Sequence, residues 1–343
     1  MTIPVPSNGD IITDPEWLTH RYDANRNSFH MVRVARERHR QIPFLTDEYL
    51  GADLQPREVN RTDVKDHAAA PAPLHFIFHS AFCCSTLLVA AFDIPGVAMG
   101  LKEPMLFNDI SGWHHRGATG AQVARLLDEA MTLLARPFGP GEAVIIKPSN
   151  IANPLIPAIM ALRPDARALL IHAPLPDFLA SITRKGMWGR LWVRDLLQKL
   201  LQNGVVNLGI APDDYLGLTD IQVAAVGWLA QHMLFQRLTQ QFGERMATVD
   251  SETFLASPEV GLFHLAQHFG LQVDKAMASA IVAGPVFARD SKTGASFSNG
   301  QRADAARHGM SLHADEIDKV LTWADRIADN IGLSYRLPRS LFD

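Results

Sequence analysis

The chain has 343 residues, of which 47% are hydrophobic and 20% are charged, and its formal net charge is −4. This composition is typical of a globular protein, and it indicates neither a nucleic-acid nor a membrane partner, since no basic run and no stretch approaching roughly 18 apolar residues is present. The N-terminus lacks a signal-peptide pattern and the two cysteines, Cys83 and Cys84, are adjacent, so we expect no disulfide framework and a cytoplasmic location.

Residues 1–70 predict a helical N-terminal appendage. Asp14-Pro15 carries a helix start signal, with proline in the first turn. The charged stretch Arg33–Arg40 favours a helix with a solvated face. The run Ala68–Pro73 is typical of a linker, so we predict a domain boundary after residue 70.

From residue 71 to residue 283, short apolar segments alternate with helical patterns. Apolar strands separated by helices indicate a parallel sheet covered on both faces, so we predict an α/β core here. The predicted strands are Leu74–Phe78, Val97–Lys102, Ala143–Lys147, Arg167–His172 and Met246–Asp250. The predicted helices are Ser85–Phe92, Thr119–Ala135, Ile151–Leu162, Leu175–Lys185, Ile221–Phe242 and Pro258–Phe269.

Residues 284–343 predict a loop followed by a helix. Gly284–Gly309 is rich in glycine, serine and basic residues and has no periodicity, which favours a loop able to close over a site. Ala314–Ile331 predicts a final helix that packs on the core.

The segment His79–Thr86 (HSAFCCST) joins the first core strand to a helix. Such a junction can bind an anion, because the first N–H groups of a helix are unpaired and the helix dipole adds positive charge. The loop lacks the glycines and lysine of G-x-x-x-x-G-K-[ST], so it is not an ordinary triphosphate P-loop. The alternative is an ordinary turn in which Ser85 caps the helix.

Charged residues at two other strand ends are expected on the same rim, since ligands of parallel sheets bind at the carboxyl ends of strands. Lys102-Glu103 can pair a base with an electrostatic stabiliser, or it forms a surface ion pair. Lys147 ends an apolar strand and either reaches solvent or faces an anion.

Two basic segments follow further along the chain. Ser181, Arg184 and Lys185 share one helical face, which is either an anion site or a solvated helix end. Arg289–Arg302, which contains Lys292, suits an anion lid but is also typical of surface loops.

Two other chemistries receive little support. Cys83 or Cys84 near a helix start could be nucleophilic, but neither has a clear local partner. His114-His115 lacks a further ligand at a suitable spacing, so we expect no metal site.

Taken in order, these features resemble the sulfotransferase family, whose members transfer a sulfuryl group from 3′-phosphoadenosine 5′-phosphosulfate. Phe82–Leu88 (FCCSTLL) is similar to the family's phosphosulfate loop, [RK]-S-G-T-T-L-L, and Lys102-Glu103-Pro104 to the K-E-P segment of its heparan-type members. Val144–Ala173 resembles the K-T-P strand end, helix, F-P-D-A-[KR] and strand of bacterial members, and Val249–Leu271 resembles the family's E-x-L segment. The resemblance covers about residues 74–302 and implies a P-loop NTPase-like sulfotransferase fold.

The resemblance also implies roles for individual residues. Glu103 would take the proton of a small-molecule acceptor's hydroxyl or amine, while Lys102 and Lys147 would offset charge on the departing oxygen. The 5′-phosphosulfate would be held by the loop residues Cys83, Cys84, Ser85 and Thr86. The 3′-phosphate would be held by Ser181 with Arg184 or Lys292.

Two departures from the family pattern keep other functions open. Phe82 stands where the family's loop has a cation, and Ala173 stands where an arginine normally precedes the 3′-phosphate serine. The alternatives are a kinase-like nucleotide-dependent phosphotransferase on the same core and a non-catalytic binding protein. The sequence indicates neither the acceptor nor the oligomeric state.

Overall fold

A five-stranded parallel sheet lies at the centre of the computed structural model, which describes residues 6–51, 54–67, 71–289 and 313–343. Its strands follow the order β5-β6-β4-β7-β8, and every neighbouring pair is parallel. The prediction of an α/β fold with a helix-flanked parallel sheet is therefore confirmed. The five strands are β4 (Leu74–His79), β5 (Ala98–Lys102), β6 (Ala143–Lys147), β7 (Ala168–His172) and β8 (Met246–Asp250).

Helices cover both faces of this sheet, which explains why β4 to β7 are buried along their whole length. Two buried hydrophobic clusters lie on the opposite faces, with Ile146 in one and Ile145 in the other, as expected from the alternation of side chains along a strand. The helices of this part of the chain are α5 (Ser85–Ala91), α6 (Met105–His115), α7 (Gly120–Leu134), α8 (Ile156–Leu162), α9 (Leu175–Arg184), α10 (Gly186–Gln202), α11 (Asp220–Phe242), α12 (Ser251–Ala256), α13 (Pro258–Phe269), α14 (Lys275–Val282) and α15 (Ala314–Ile331). Three short 3₁₀ helices span Asn150–Leu155, Pro212–Gly217 and Gly243–Arg245.

The N-terminal segment is not wholly helical, and the prediction of a helical appendage is wrong in this respect. It contains a three-stranded antiparallel sheet with the order β1-β2-β3. The Asp14-Pro15 signal starts a turn instead of a helix, because the residues that follow form β1 and pair with β2. The elements are α1 (Asn8–Thr13), β1 (Trp17–Asp23), β2 (Ser28–Arg33), α2 (Arg36–Gln41), α3 (Asp47–Leu50), β3 (Arg57–Asn60) and α4 (Arg61–His67).

The N-terminal segment shares a hydrophobic cluster with the central sheet, since Phe29 and Met31 of β2 belong to the same cluster as Phe76 of β4.

The domain boundaries at residues 70 and 283 stay predictions. The loop expected at Gly284–Gly309 lies mostly outside the described residues. Within the described ranges, no helix is long and apolar enough to cross a membrane.

Arg136 ties the N-terminal segment to the core. Its side chain is 8% exposed, and its guanidinium donates to the carbonyls of Ile12 (2.6 Å), Asp14 (3.1 Å) and Trp17 (2.6 Å). Burial lowers the pKa of Arg136 to about 10, so the group keeps its charge at neutral pH. One buried cation thus satisfies carbonyls at the end of α1 and the start of β1.

We predict that Arg136→Met lowers the free energy of unfolding by about 3 kcal/mol, because these buried carbonyls lose their donors. The measurement is urea unfolding followed by circular dichroism. Arg26→Met serves as the control, since the ion pairs of Arg26 with Asp23 and Glu58 lie at the surface and its side chain is 67% exposed. A change below about 0.5 kcal/mol for Arg136→Met would contradict this account.

Candidate functional site

The carboxyl ends of the five central strands bring polar side chains to one rim. His79 ends β4, Lys102 ends β5, Lys147 ends β6 and His172 ends β7. Lys102 and Lys147 are register partners, as are His172 and Asp250. The strand order therefore places residues from four separate stretches of sequence side by side.

Lys147 and Glu103 form an ion pair at this rim. The ammonium of Lys147 contacts Oε1 of Glu103, and the side chains are 1% and 20% exposed. The backbone N–H of Glu103 also donates to the carbonyl of Lys147 at 2.7 Å. Glu103 has a φ of 53°, an unusual left-handed conformation for a side-chain-bearing residue, at the point where the chain leaves β5. The structure thus brings two of the three predicted catalytic residues into contact.

Lys102, the third of these residues, points elsewhere. Its ammonium donates to the carbonyl of Arg40 at 3.2 Å, and the residue is 3% exposed. Burial lowers the pKa of Lys102 to about 8. Lys102 therefore anchors the N-terminal segment and also places a charge near the rim.

His79, the first residue of the predicted anion segment, also lies beside this pair, a position that the sequence did not predict. Its Nε2 lies 3.1 Å from the carbonyl of Pro148 and 3.7 Å from Oε1 of Glu103. Its Nδ1 accepts a hydrogen bond from the backbone N–H of Ala81 at 3.1 Å. Because Nδ1 accepts and Nε2 faces acceptors, the bonds favour the neutral tautomer with its proton on Nε2. The sequence feature that could have indicated its role is its place at the junction between β4 and the loop.

The loop after β4 adopts left-handed backbone angles without glycine. Ala81, Phe82 and Cys84 have φ values of 77°, 53° and 55°. Such angles cost energy and persist only where the surroundings enforce them, which favours a functional loop over an ordinary turn. Ser80 is 2% exposed and its hydroxyl has no hydrogen-bond partner among the described residues, so the loop holds an unsatisfied buried polar atom.

The remaining loop residues are closely packed. Cys83 is 1% exposed and its thiol lies 3.5 Å from the carbonyl of Ile171. Ser85 and Thr86 are 5% and 3% exposed in the first turn of α5. Phe82, in the position of the family's cation, packs edge-on against Trp192 at 5.4 Å between ring centroids. The loop is therefore fixed on one side by aromatic packing.

The other predicted cofactor residues lie on α9. Nη2 of Arg184 donates to the hydroxyl of Ser181 at 3.1 Å, so these two side chains are adjacent and Arg184 is exposed. At position 173, the alanine carbonyl accepts a bond from the indole N–H of Trp228. Lys292 lies outside the described residues.

A cavity of about 590 Å³ opens between the ends of β7 and β8 and the C-terminal residues. Its lining includes His172, Trp228, Asp250 and Tyr335. His172 is 6% exposed, its Nδ1 has no partner among the described residues, and its Nε2 lies 3.9 Å from Oδ2 of Asp250. Burial lowers the pKa of His172 to about 4, so the imidazole is neutral at pH 7.

The rim carries hydrogen-bond donors that suit anionic oxygens. Loop N–H groups, hydroxyls and a buried ammonium are donors for phosphate or sulfate oxygens. Among the described ranges, no group of three histidine, cysteine or acidic side chains is placed to hold a metal ion.

No family model and no curated protein matches the chain. It is similar to the solved sulfotransferase domain from the curacin biosynthetic pathway, with 17% identity, a TM-score of 0.43 and coverage of 78% of this chain and 99% of that chain. It is also similar to sulfotransferase STF9 from Mycobacterium avium, with 12% identity, a TM-score of 0.42 and coverage of 75% of this chain and 79% of that chain. A further similar structure is the sulfotransferase domain of the Synechococcus PCC 7002 olefin synthase, with 16% identity, a TM-score of 0.40 and coverage of 78% of this chain and 96% of that chain.

We predict that His172→Gln weakens the acid sensitivity of folding. The unfolded histidine binds its proton near pH 6.5 but the folded one only near pH 4, so between these values the unfolded state holds more protons and the free energy of unfolding falls as the pH falls. Around pH 5 the wild-type slope should exceed that of the variant by about 1.2 kcal/mol per pH unit.

Urea unfolding at several pH values, with circular dichroism at pH 8 to confirm that the variant folds, measures this difference. Equal slopes for the two proteins would show that His172 is not buried in its neutral form.

Proposed function

We propose that this protein transfers a sulfuryl group from 3′-phosphoadenosine 5′-phosphosulfate to a hydroxyl or amine of a small molecule. The observation that carries the proposal is the Lys147–Glu103 ion pair, with Lys147 almost fully buried, on the same rim as the left-handed loop that follows β4. An acid–base group and a desolvated cation beside a candidate anion loop supply the parts that such a transfer needs.

The donor would be held at two places on the rim. The loop from Cys83 to Thr86 offers backbone N–H groups and two hydroxyls for the 5′-phosphosulfate, and Ser181 with Arg184 offers a hydroxyl and a guanidinium for the 3′-phosphate. Lys292 remains a further candidate for this phosphate. When bound, the donor supplies a sulfuryl group activated by its bond to phosphate.

Glu103 acts as the base in this proposal. It takes the proton of the acceptor as the acceptor's oxygen or nitrogen bonds to sulfur, while the bond from sulfur to the phosphate oxygen breaks. Lys147 offsets the negative charge that passes to the departing phosphate oxygen. Its 1% exposure strengthens that effect, since charges interact more strongly away from water.

Two cations of the family pattern have no counterpart at positions 82 and 173 of this chain. Phe82 and Ala173 cannot neutralise phosphate charge. Lys147 lies on the rim, and Arg184 lies next to Ser181. In this proposal the buried ammonium of Lys147 takes over the charge stabilisation that a loop cation gives elsewhere in the family.

We predict that Glu103→Gln slows the formation of 3′-phosphoadenosine 5′-phosphate from the donor by about 10²- to 10⁴-fold, because the amide cannot accept the acceptor's proton. The assay is product formation with 2-naphthol, a primary alcohol and a primary amine as acceptors.

Glu129→Gln is the matched control. Glu129 also forms a largely buried ion pair, with Arg61, but it lies on α7 away from the rim. Glu129→Gln should leave turnover within about twofold of the wild type. Equal rates for Glu103→Gln and the wild type would remove Glu103 from the reaction.

A further inference from the structure

The N-terminal residues 36–50 are fixed along β5 by three anchors, one at its amino end and two at its carboxyl end. Arg36 bridges Asp93 and Glu142, with nitrogen–oxygen distances of 3.3 and 2.7 Å. The ammonium of Lys102 donates to the carbonyl of Arg40 at 3.2 Å. The backbone N–H of Leu45 donates to the carbonyl of Lys102 at 2.7 Å, which brings this segment directly beside Glu103.

These anchors place an aromatic ring over the buried lysine of the candidate site. The ammonium of Lys147 lies 5.1 Å from the centroid of the Phe44 ring, within the range of a cation–π contact. Tyr49 packs edge-on against Phe44, with 5.5 Å between centroids. The pKa of Tyr49 is raised by burial and further by nearby negative charge, including that of Glu103. Two aromatic side chains of this segment therefore adjoin the ion pair.

Lys147 is thus held between a carboxylate and an aromatic face. A lysine side chain is long and flexible, and a charge buried to this extent needs compensating partners. Glu103 supplies the charge and hydrogen bond, and the Phe44 ring supplies an electrostatic contact that also excludes water. An aliphatic side chain of similar size would exclude water but would give no attraction to the ammonium.

We propose that Phe44 is a positioning residue that holds the ammonium of Lys147 against Glu103, and that residues 36–50 thereby form part of the transfer site. This inference rests on the proposed function for its catalytic consequence. The resemblance to the sulfotransferases begins at about residue 74, so this part of the site is supplied by a segment outside it.

Three variants test the proposal. Phe44→Leu removes the aromatic face and keeps an apolar side chain, whereas Phe44→Tyr keeps the face. Phe138→Leu is the matched control. The Phe138 ring makes a cation–π contact with Arg36 of the anchored segment, with 5.5 Å between the guanidinium carbon and the ring centroid, and not with Lys147. Loosening of the segment as a whole would therefore appear in Phe138→Leu as well.

The first readout needs no substrate. The full-length protein is treated with acetic anhydride, and peptide mass spectrometry measures the acetylation rate of Lys147 relative to that of the exposed Lys319. We expect Phe44→Leu to raise this ratio by about tenfold, and Phe44→Tyr and Phe138→Leu to stay within about twofold of the wild type. No rise in Phe44→Leu, or an equal rise in Phe138→Leu, would overturn the proposal.

The second readout is turnover of 3′-phosphoadenosine 5′-phosphosulfate. We expect kcat to fall by about tenfold in Phe44→Leu with little change in the KM for the donor. Phe44→Tyr should keep kcat near the wild-type value. A rise in the KM for the donor with an unchanged kcat would overturn the positioning role. If the wild-type protein turns over no donor, the proposed function fails, and the acetylation rates still decide whether Phe44 holds Lys147.

Discussion

The burial of the Lys147 charge is the constraint on which the arrangement of the candidate site depends. An ammonium with 1% exposure at the end of an apolar strand is stable only when its surroundings compensate for lost water. Here the compensation comes from Glu103, one strand away, and from the ring of Phe44, far away in the sequence. Because β5 lies beside β6, the exit of the chain from β5 brings Glu103 to Lys147, and the docked N-terminal segment brings Phe44 to it.

The loop after β4 is coupled to the same ion pair through His79. One ring nitrogen of His79 accepts the N–H of left-handed Ala81, and the other lies 3.7 Å from Glu103. The side chain of His79 thus lies between the ion pair and the start of the loop. Residues 81, 82 and 84 of this loop adopt left-handed angles without the conformational freedom of glycine.

Local pattern was sufficient for the central sheet, because β6 and β8 are short apolar runs and their predicted bounds agree with the structure. The rule that ligands bind at the carboxyl ends of parallel strands also placed Glu103 and Lys147 on one rim. Their contact was not predictable, because it depends on β5 lying next to β6, which periodicity does not encode. Phe44 was missed because only the docking of the N-terminal segment brings it to Lys147. The strands β1 to β3 were missed because a local helix signal is weaker than long-range strand pairing.

The most direct test of this account is whether the protein binds the donor's nucleotide product. Thermal unfolding would be measured with 3′-phosphoadenosine 5′-phosphate, with ATP and magnesium, and with buffer alone. At a concentration of 100 times its dissociation constant, a ligand stabilises the folded state by about 2.7 kcal/mol, which raises the melting temperature visibly. The account predicts a rise with 3′-phosphoadenosine 5′-phosphate and none with ATP and magnesium. A rise only with ATP and magnesium would indicate a phosphotransferase, and no rise with either would contradict a nucleotide site on this rim.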